Sequence, residues 1–231
     1  KFDPSKYNLK DCKLSVMDKF ILSKLNSMVR GVDNNLGAYK IPEAAKCLSS
    51  FVDELSNWYV RRSRERFWGT EMTEDKIAAY MTLYTCLVTT AKAGAPMIPF
   101  MAEDIYRNLV CTVDSDAPIS VHFCDFPEYD EAMIDEKLED EMEFILEAVV
   151  LGRSARNAAN IKNRQPLSSI YVKIDREVSE YYSEIVRDEL NVKEAYFVPD
   201  VSAISSYSFK PQLKTVGPKY GKVLGKIREA L

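Results

Sequence analysis

Apolar residues recur at helical spacing over most of the first half of the chain. Leu14, Met17, Phe20, Ile21, Leu25 and Met28 share one face of a helix that the pattern ends near Gly31. Pro42, at an N1-like position, opens a second helix carrying Ala45, Leu48, Phe51, Val52, Leu55 and Trp58. The start signal Thr73-Glu74-Asp75 begins a third, running through Ile77, Tyr80, Met81, Tyr84, Leu87 and Val88 to the break at Gly94-Ala95-Pro96. A fourth runs from about Phe100 through Met101, Ile105 and Leu109. Four amphipathic helices with short connections predict an antiparallel bundle.

Beyond the bundle the pattern changes. Pro118 and Pro127 bracket a short strand-like run, Ile119 to Phe123, in which His122 reads as a packed structural residue. A long helix follows, from about Asp135 to Arg164. Ser169 to Ile174 then alternates like a strand, Val178 to Leu190 reads as a helix, and Ala195 to Val198 as a second strand, with Ser206 to Lys210 a weaker third. Gly217-Pro218 and Gly221 break the chain before a short helix from about Lys222. The predicted fold is therefore mainly α: a helical bundle over 1–127, a connecting helix over 128–165 and a small α/β domain over 166–231.

Composition adjusts this picture. A chain of 231 residues with 46% hydrophobic content can bury a sizeable core. A formal net charge of -4 argues against nucleic acid on a global count, but the charge is segregated. Asp135, Glu136, Glu139, Asp140, Glu141 and Glu143 crowd one stretch with Lys137 the only base. Arg153, Arg156, Lys162, Arg164 and Lys173 run without an acid among them, as do Lys210, Lys214, Lys219, Lys222, Lys226 and Arg228. Local basic patches bind phosphates even on an acidic protein. Cys12, Cys47, Cys86, Cys111 and Cys124 are isolated and read as reduced, buried thiols of a cytoplasmic protein. With His122 the only histidine, no metal site is expected. No apolar run reaches the roughly 18 residues of a membrane span. The start at Lys1-Phe2-Asp3-Pro4, without Met, suggests a piece of a longer chain.

On a wheel of 100° per residue, Leu48, Phe51, Leu55, Trp58 and Tyr59 form a core stripe. Arg62 and Arg66 continue that stripe, and Arg61 and Arg64 fall on its flank. Guanidinium groups on a packing face must meet a carboxylate, such as Asp53, Glu103 or Asp104, or a phosphate, because burying an unpaired charge is too costly. Four arginines in six positions, flanked by Trp58 and Trp68, tilt the group toward nucleic acid: Arg contacts phosphate bidentately and aromatics stack on bases. The long helix repeats the pattern. Met142, Ile145, Leu146 and Val149 form its stripe, which Arg153, Arg156, Asn157, Asn160 and Arg164 continue beyond Gly152. Two such helix ends could form one cationic surface, although an exposed end is the simpler reading of either alone. In Gly217-Pro218-Lys219-Tyr220-Gly221-Lys222 the glycines permit close backbone approach to a phosphate or base, and equally serve a turn. Glu103-Asp104 lacks a neighbouring nucleophile or base, and no phosphate loop or nucleophile elbow is present. The sequence offers no active site.

The run Leu55-Ser56-Asn57-Trp58-Tyr59-Val60-Arg61-Arg62-Ser63-Arg64-Glu65-Arg66-Phe67-Trp68, after Phe51-Val52-Asp53-Glu54, resembles the anticodon-domain signature of isoleucyl-tRNA synthetases. Ala95 to Glu103 resembles a proline-containing helix start common to class I synthetases for branched aliphatic amino acids and methionine. Asn160 to Leu167, Asp188 to Lys193 and Gly217 to Lys222 resemble the C-terminal junction of isoleucyl enzymes. The resemblance implies a class I anticodon-binding domain that grips the anticodon arm of tRNA(Ile). It places Asn57, Trp58, Arg61, Arg62, Arg64, Arg66, Trp68, Arg153, Arg156, Asn157, Asn160, Arg164, Lys219 and Lys222 at that contact. The parent enzyme would charge tRNA(Ile) with isoleucine using ATP and Mg through a catalytic domain, beside an editing domain; the HIGH and KMSKS motifs of the adenylation site are absent here, as is any editing domain. No cofactor is expected within this chain, and a monomer is the expected state. The competing readings are a structural module docking the catalytic domain through ion pairs, and the same region of a valyl, leucyl or methionyl enzyme.

Overall fold

Helix α1, Val16–Gly37, starts where Ser15 and Asp18 form a capping box, each side chain bonding the other's backbone N–H. The computed structural model describes residues 2–175, 177–202 and 220. It carries α1 past Gly31 to Gly37. Gly31 is no stop signal: a Cβ there would lie 3.1 Å from Cys47 Sγ, so its small size lets α1 and α2 approach closely. α2, Ile41–Glu54, opens with Pro42 in its first turn, where the missing N–H costs nothing. α4, Glu74–Gly94, is capped by Thr73, whose side chain accepts from Lys76 N. α5, Pro99–Tyr106, follows directly and ends in a π-wound turn, Arg107–Cys111.

Contacts divide the chain into two compact units, Lys1–Glu143 and Phe144–Leu231, with the division falling inside helix α6, Glu136–Ala158. In the first unit, α1, α2 and α4 pack together around Phe20, Ile21, Leu22, Val29, Phe51 and Tyr59, all nearly inaccessible to solvent, while α5 packs on α4 and buries Ala102 and Tyr106 in a second cluster with Ala95, Val110 and Val121. The acidic stretch is partly spent on α1: Glu139 accepts from Ser27 Oγ at 2.9 Å and from Ser23 Oγ, and Arg30 pairs with Glu131 at 3.3 Å.

Three expectations change here. Ile119–Phe123 is no strand. Ser120 caps a 3-10 turn, Val121–Phe123, and Glu103 accepts from Ser120 Oγ and Val121 N, which drives Val121 inward and leaves His122 exposed. In α5 the core face is Ala102 and Tyr106, with Val110 beyond, while Phe100 and Met101 are exposed. Helix α6 stops at Ala158. Asn160 takes φ 56°, its N–H bonds to the Asn157 carbonyl and Ile161 N–H reaches back to the Arg156 carbonyl, the left-handed stop that Asn tolerates.

In the second unit, strands β1, Leu167–Lys173, and β2, Val192–Val198, pair in parallel across helix α7, Glu180–Leu190. The register sets Ile170 against Ala195 and Tyr171 against Tyr196, whose rings stack. Asn191 at φ 49° turns the chain from α7 straight into β2. The third strand expected at Ser206–Lys210, the Gly217–Lys222 segment apart from Tyr220, and the terminal helix lie outside the described residues.

Candidate nucleic-acid interface

The arginine segment is not one continuous helix. α2 ends at Glu54, Leu55–Val60 winds as a π turn, and a short helix α3, Arg64–Trp68, follows. The wider π turn advances fewer degrees per residue, so the buried positions become Phe51, Leu55, Tyr59 and Ser63, spaced by four. A uniform 100° wheel places Arg62 on that stripe. The structure buries Ser63 in its place and leaves Arg62 half-buried.

Arg66 does enter the interior, but not toward Asp53, Glu103 or Asp104. Its Nη1 and Nη2 donate to the two carboxylate oxygens of Asp18 at 2.9 and 2.8 Å, and its Nε donates to Asp75 at 2.8 Å. Asp18 is fully buried and also accepts from Tyr59 Oη at 2.6 Å and from Ser15. Burial would raise the Asp18 pKa, yet the bonds from Arg66, Tyr59 and Ser15 outweigh it and hold the carboxyl below its usual range. Burial likewise disfavours the Arg66 charge, and the Asp18 and Asp75 bonds reverse that as well. Tyr59–Phe67 and Phe67–Tyr80 ring contacts fasten α3 to α4. Asp18 is the residue the sequence reading missed. Its signal was the Ser15-x-x-Asp18 capping box, which marks a helix start but not a distant arginine.

Held by this anchor, the flanking arginines stack on the two tryptophans. The Arg61 guanidinium lies 5.3 Å from the Trp58 ring centre and the Arg64 guanidinium 5.2 Å from that of Trp68. Arg61, Arg64 and Asn57 are exposed, Trp68 is 74% exposed and Trp58 half-buried. Arg61 Nε donates to the Asn57 carbonyl at 2.8 Å. Stacking occupies a guanidinium's flat face, whereas anions are recognised through its in-plane N–H edge.

A family model described as the anticodon-binding domain of tRNA ligase matches residues 18–174, a span that includes this whole segment. The chain belongs to that family of anticodon-binding domains. It is 52% identical over 217 residues to an isoleucine–tRNA ligase of Clostridium novyi, covering 94% of this chain and 21% of that protein. Identity is 50% over 232 residues with that of Clostridium acetobutylicum, covering 100% and 22%, and 41% over 220 residues with that of Bacteroides fragilis, covering 93% and 19%. The chain thus spans about a fifth of the length of these relatives.

The anticodon-binding domain's second group of candidates separates as sharply as the first. Arg156 is 4% exposed and donates to the carbonyls of Lys162, Gln165, Leu190 and Asn191 at 3.0, 3.0, 2.6 and 3.2 Å. It caps the C-terminal end of α7, where carbonyls lack helical partners and a cation suits the dipole. The expected polar stripe over Arg153 to Arg164 is therefore corrected: Arg156 turns inward, Arg153 pairs with Glu189, and Asn160 and Arg164 follow the end of the helix. Asn157, Asn160 and Arg164 are exposed. Lys219 and Lys222 lie outside the described residues. Among the described residues no group of three or more His, Cys, Asp or Glu side chains could hold a metal ion, and no helix is long and apolar enough to cross a membrane. The five cysteines are free; Cys86 is buried and its thiol is pushed up by that burial, while the other four are only half-buried.

Proposed function

We propose that this domain grips the anticodon arm of tRNA(Ile) as part of a longer isoleucine–tRNA ligase. The parent's catalytic domain, with ATP and Mg, charges that tRNA with isoleucine, and an editing domain accompanies it in the parent chain. The observation that carries the reading is the pair of exposed arginine–tryptophan stacks, Arg61 on Trp58 and Arg64 on Trp68, built on a buried anchor. An anticodon arm offers phosphates to guanidinium edges and unstacked loop bases to aromatic faces, so one such surface meets both. Family membership and the names of the relatives support the choice of tRNA and of isoleucine. Asn57 and Arg62 are assigned to the same contact within the first unit, and Asn157, Asn160 and Arg164 to tRNA contacts of the second, with Arg66 and Arg156 bracing the unit that carries each. The domain acts as a monomer in the cytoplasm.

Binding to tRNA(Ile) and tRNA(Val) at two salt concentrations tests this. Affinity for tRNA(Ile) is expected to be higher and to fall steeply with salt. Arg64→Ala should reduce the salt slope by about 1 and leave the unfolding midpoint in place. Equal affinity for the two tRNAs, or no binding at low salt, overturns the proposal.

A further inference from the structure

Lys76 stands in the first turn of α4, the end of a helix where a cation is disfavoured and where its neighbours Glu74 and Asp75 obey the rule. It is also only 8% exposed, although a lysine side chain is rarely buried without a partner. α4 itself gains nothing from a buried cation at this position. α3 does. A helix of five residues is too short to persist alone, and its last carbonyls lack partners within it. Lys76 Nζ donates to the carbonyl of Gly69, the residue that ends α3, and Tyr80 Oη, four residues on, donates to the Phe67 carbonyl at 3.3 Å.

The two bonds close around Trp68. Phe67 and Gly69 are its chain neighbours, so the carbonyls of both are held by α4 while the indole stays 74% exposed beneath the Arg64 guanidinium. The seat of Lys76 is itself fixed. Its backbone N–H donates to Thr73 Oγ1, the cap of α4, and its ammonium lies 5.7 Å from the centre of the Tyr80 ring. That ring packs on Phe67 at 5.4 Å and on Phe2 at 4.9 Å between centres. Arg66 ties α3 to Asp18 and Asp75, but the direction of Trp68 is set at the C-terminal end.

We propose that Lys76 and Tyr80 are positioning residues for tRNA binding: by tying down the carbonyls on either side of Trp68, they aim the Arg64–Trp68 stack at an unstacked loop base and its phosphate. The assignment rests on the tRNA-binding reading. Lys76 is buried and its ammonium is turned to the protein, so it acts through Trp68 and not on a phosphate. An indole already held in one direction binds without first being ordered, and the ordering cost of a loose one is subtracted from affinity.

The test measures tRNA(Ile) binding to the 231-residue chain carrying Lys76→Met, Lys76→Arg or Tyr80→Phe, each alone and with Trp68→Ala. Fluorescence anisotropy of Trp68 is followed in a Trp58→Phe background, where it is the single tryptophan. Lys76→Met, which keeps the aliphatic stem, should lower the anisotropy and weaken binding about tenfold, within what one base–aromatic stack contributes. Tyr80→Phe removes a single neutral hydrogen bond and should weaken binding about threefold. Lys76→Arg should restore most of the affinity, because a cation still reaches the Gly69 carbonyl. With Trp68→Ala in place, neither Lys76→Met nor Tyr80→Phe should weaken binding further, whereas a general loss of stability would persist. Thermal melts check the fold, and should Lys76→Met melt below the assay temperature, Tyr80→Phe, which preserves the ring packing, carries the same comparison. Native affinity in the folded variants, unchanged anisotropy, or an undiminished loss beside Trp68→Ala overturns the positioning role and leaves the arginine reading standing. If the unsubstituted chain fails to bind tRNA(Ile) at low salt, the tRNA reading falls and the positioning role falls with it.

Discussion

Replacing Arg66 with Met keeps most of the side chain's length and removes its charge, leaving Asp18 buried without its bidentate partner. Asp18 is fully inaccessible and the Arg66 side chain 18% exposed, so solvent screens the pair weakly. Removing one partner of such a pair costs about 3–5 kcal/mol. Asp18 would keep its donors from Tyr59 and Ser15, which places the expected loss near the lower end, about 3 kcal/mol. In urea that moves the midpoint down by about 1–3 M, and in a thermal melt by about 6–12 °C. Trp58 and Trp68 are the only two tryptophans, so their fluorescence reports this segment directly. Asp18→Asn in the Arg66→Met background removes the orphaned charge and should recover part of the loss. The pH dependence has a fixed sign. Because the folded carboxyl is held below its usual range, its contribution is present at neutral pH and is lost as pH falls through the acid range below about 4. Arg66→Met should flatten that acid limb. A loss below about 1 kcal/mol, the size of an exposed pair, or a double variant less stable than Arg66→Met, refutes the buried-anchor reasoning.

Three further outcomes are expected. Arg156→Met should destabilise the second unit by about 3 kcal/mol in denaturant unfolding, because charge-assisted hydrogen bonds to four carbonyls are lost, and circular dichroism should register early loss of α7. Gly152→Ala should destabilise by about 1–2 kcal/mol: the new methyl would lie 2.9 Å from Leu190 Cδ2 in a packed site, and overpacking outweighs the gain in helix propensity. Glu54 has the opposite sign to Asp18. Its carboxyl is raised, so the folded chain holds that proton more tightly and stability declines as pH rises from the usual glutamate range; Glu54→Gln should remove this decline from the midpoint-versus-pH curve.

Local pattern alone determined a good deal of this protein. The four bundle helices follow from apolar spacing, and the starts of α2 and α4 from Pro42 and Thr73, because capping and helical period are short-range properties. The strand–helix–strand order of the second unit was legible for the same reason, and the density of Arg and Trp between Asn57 and Trp68 marked the segment that matters. Tertiary structure decided which of those arginines face outward. The π turn at Leu55–Val60 breaks the 100° rotation on which any wheel depends, and its Tyr59 donates to Asp18, 41 residues away, a contact that no local window contains. Asp18 and Arg66 are 48 residues apart and meet only because α1 and the arginine segment pack together. Arg156 finds its carbonyl partners on a turn and a helix end formed later in the chain. The groove lined by Lys24, Met28, Phe51 and Glu54 exists only where α1 and α2 pack together. Periodicity tells which face of a helix is apolar, but the partner waiting at its end is set by long-range contacts, and these separate an arginine that braces the fold from one left on the surface.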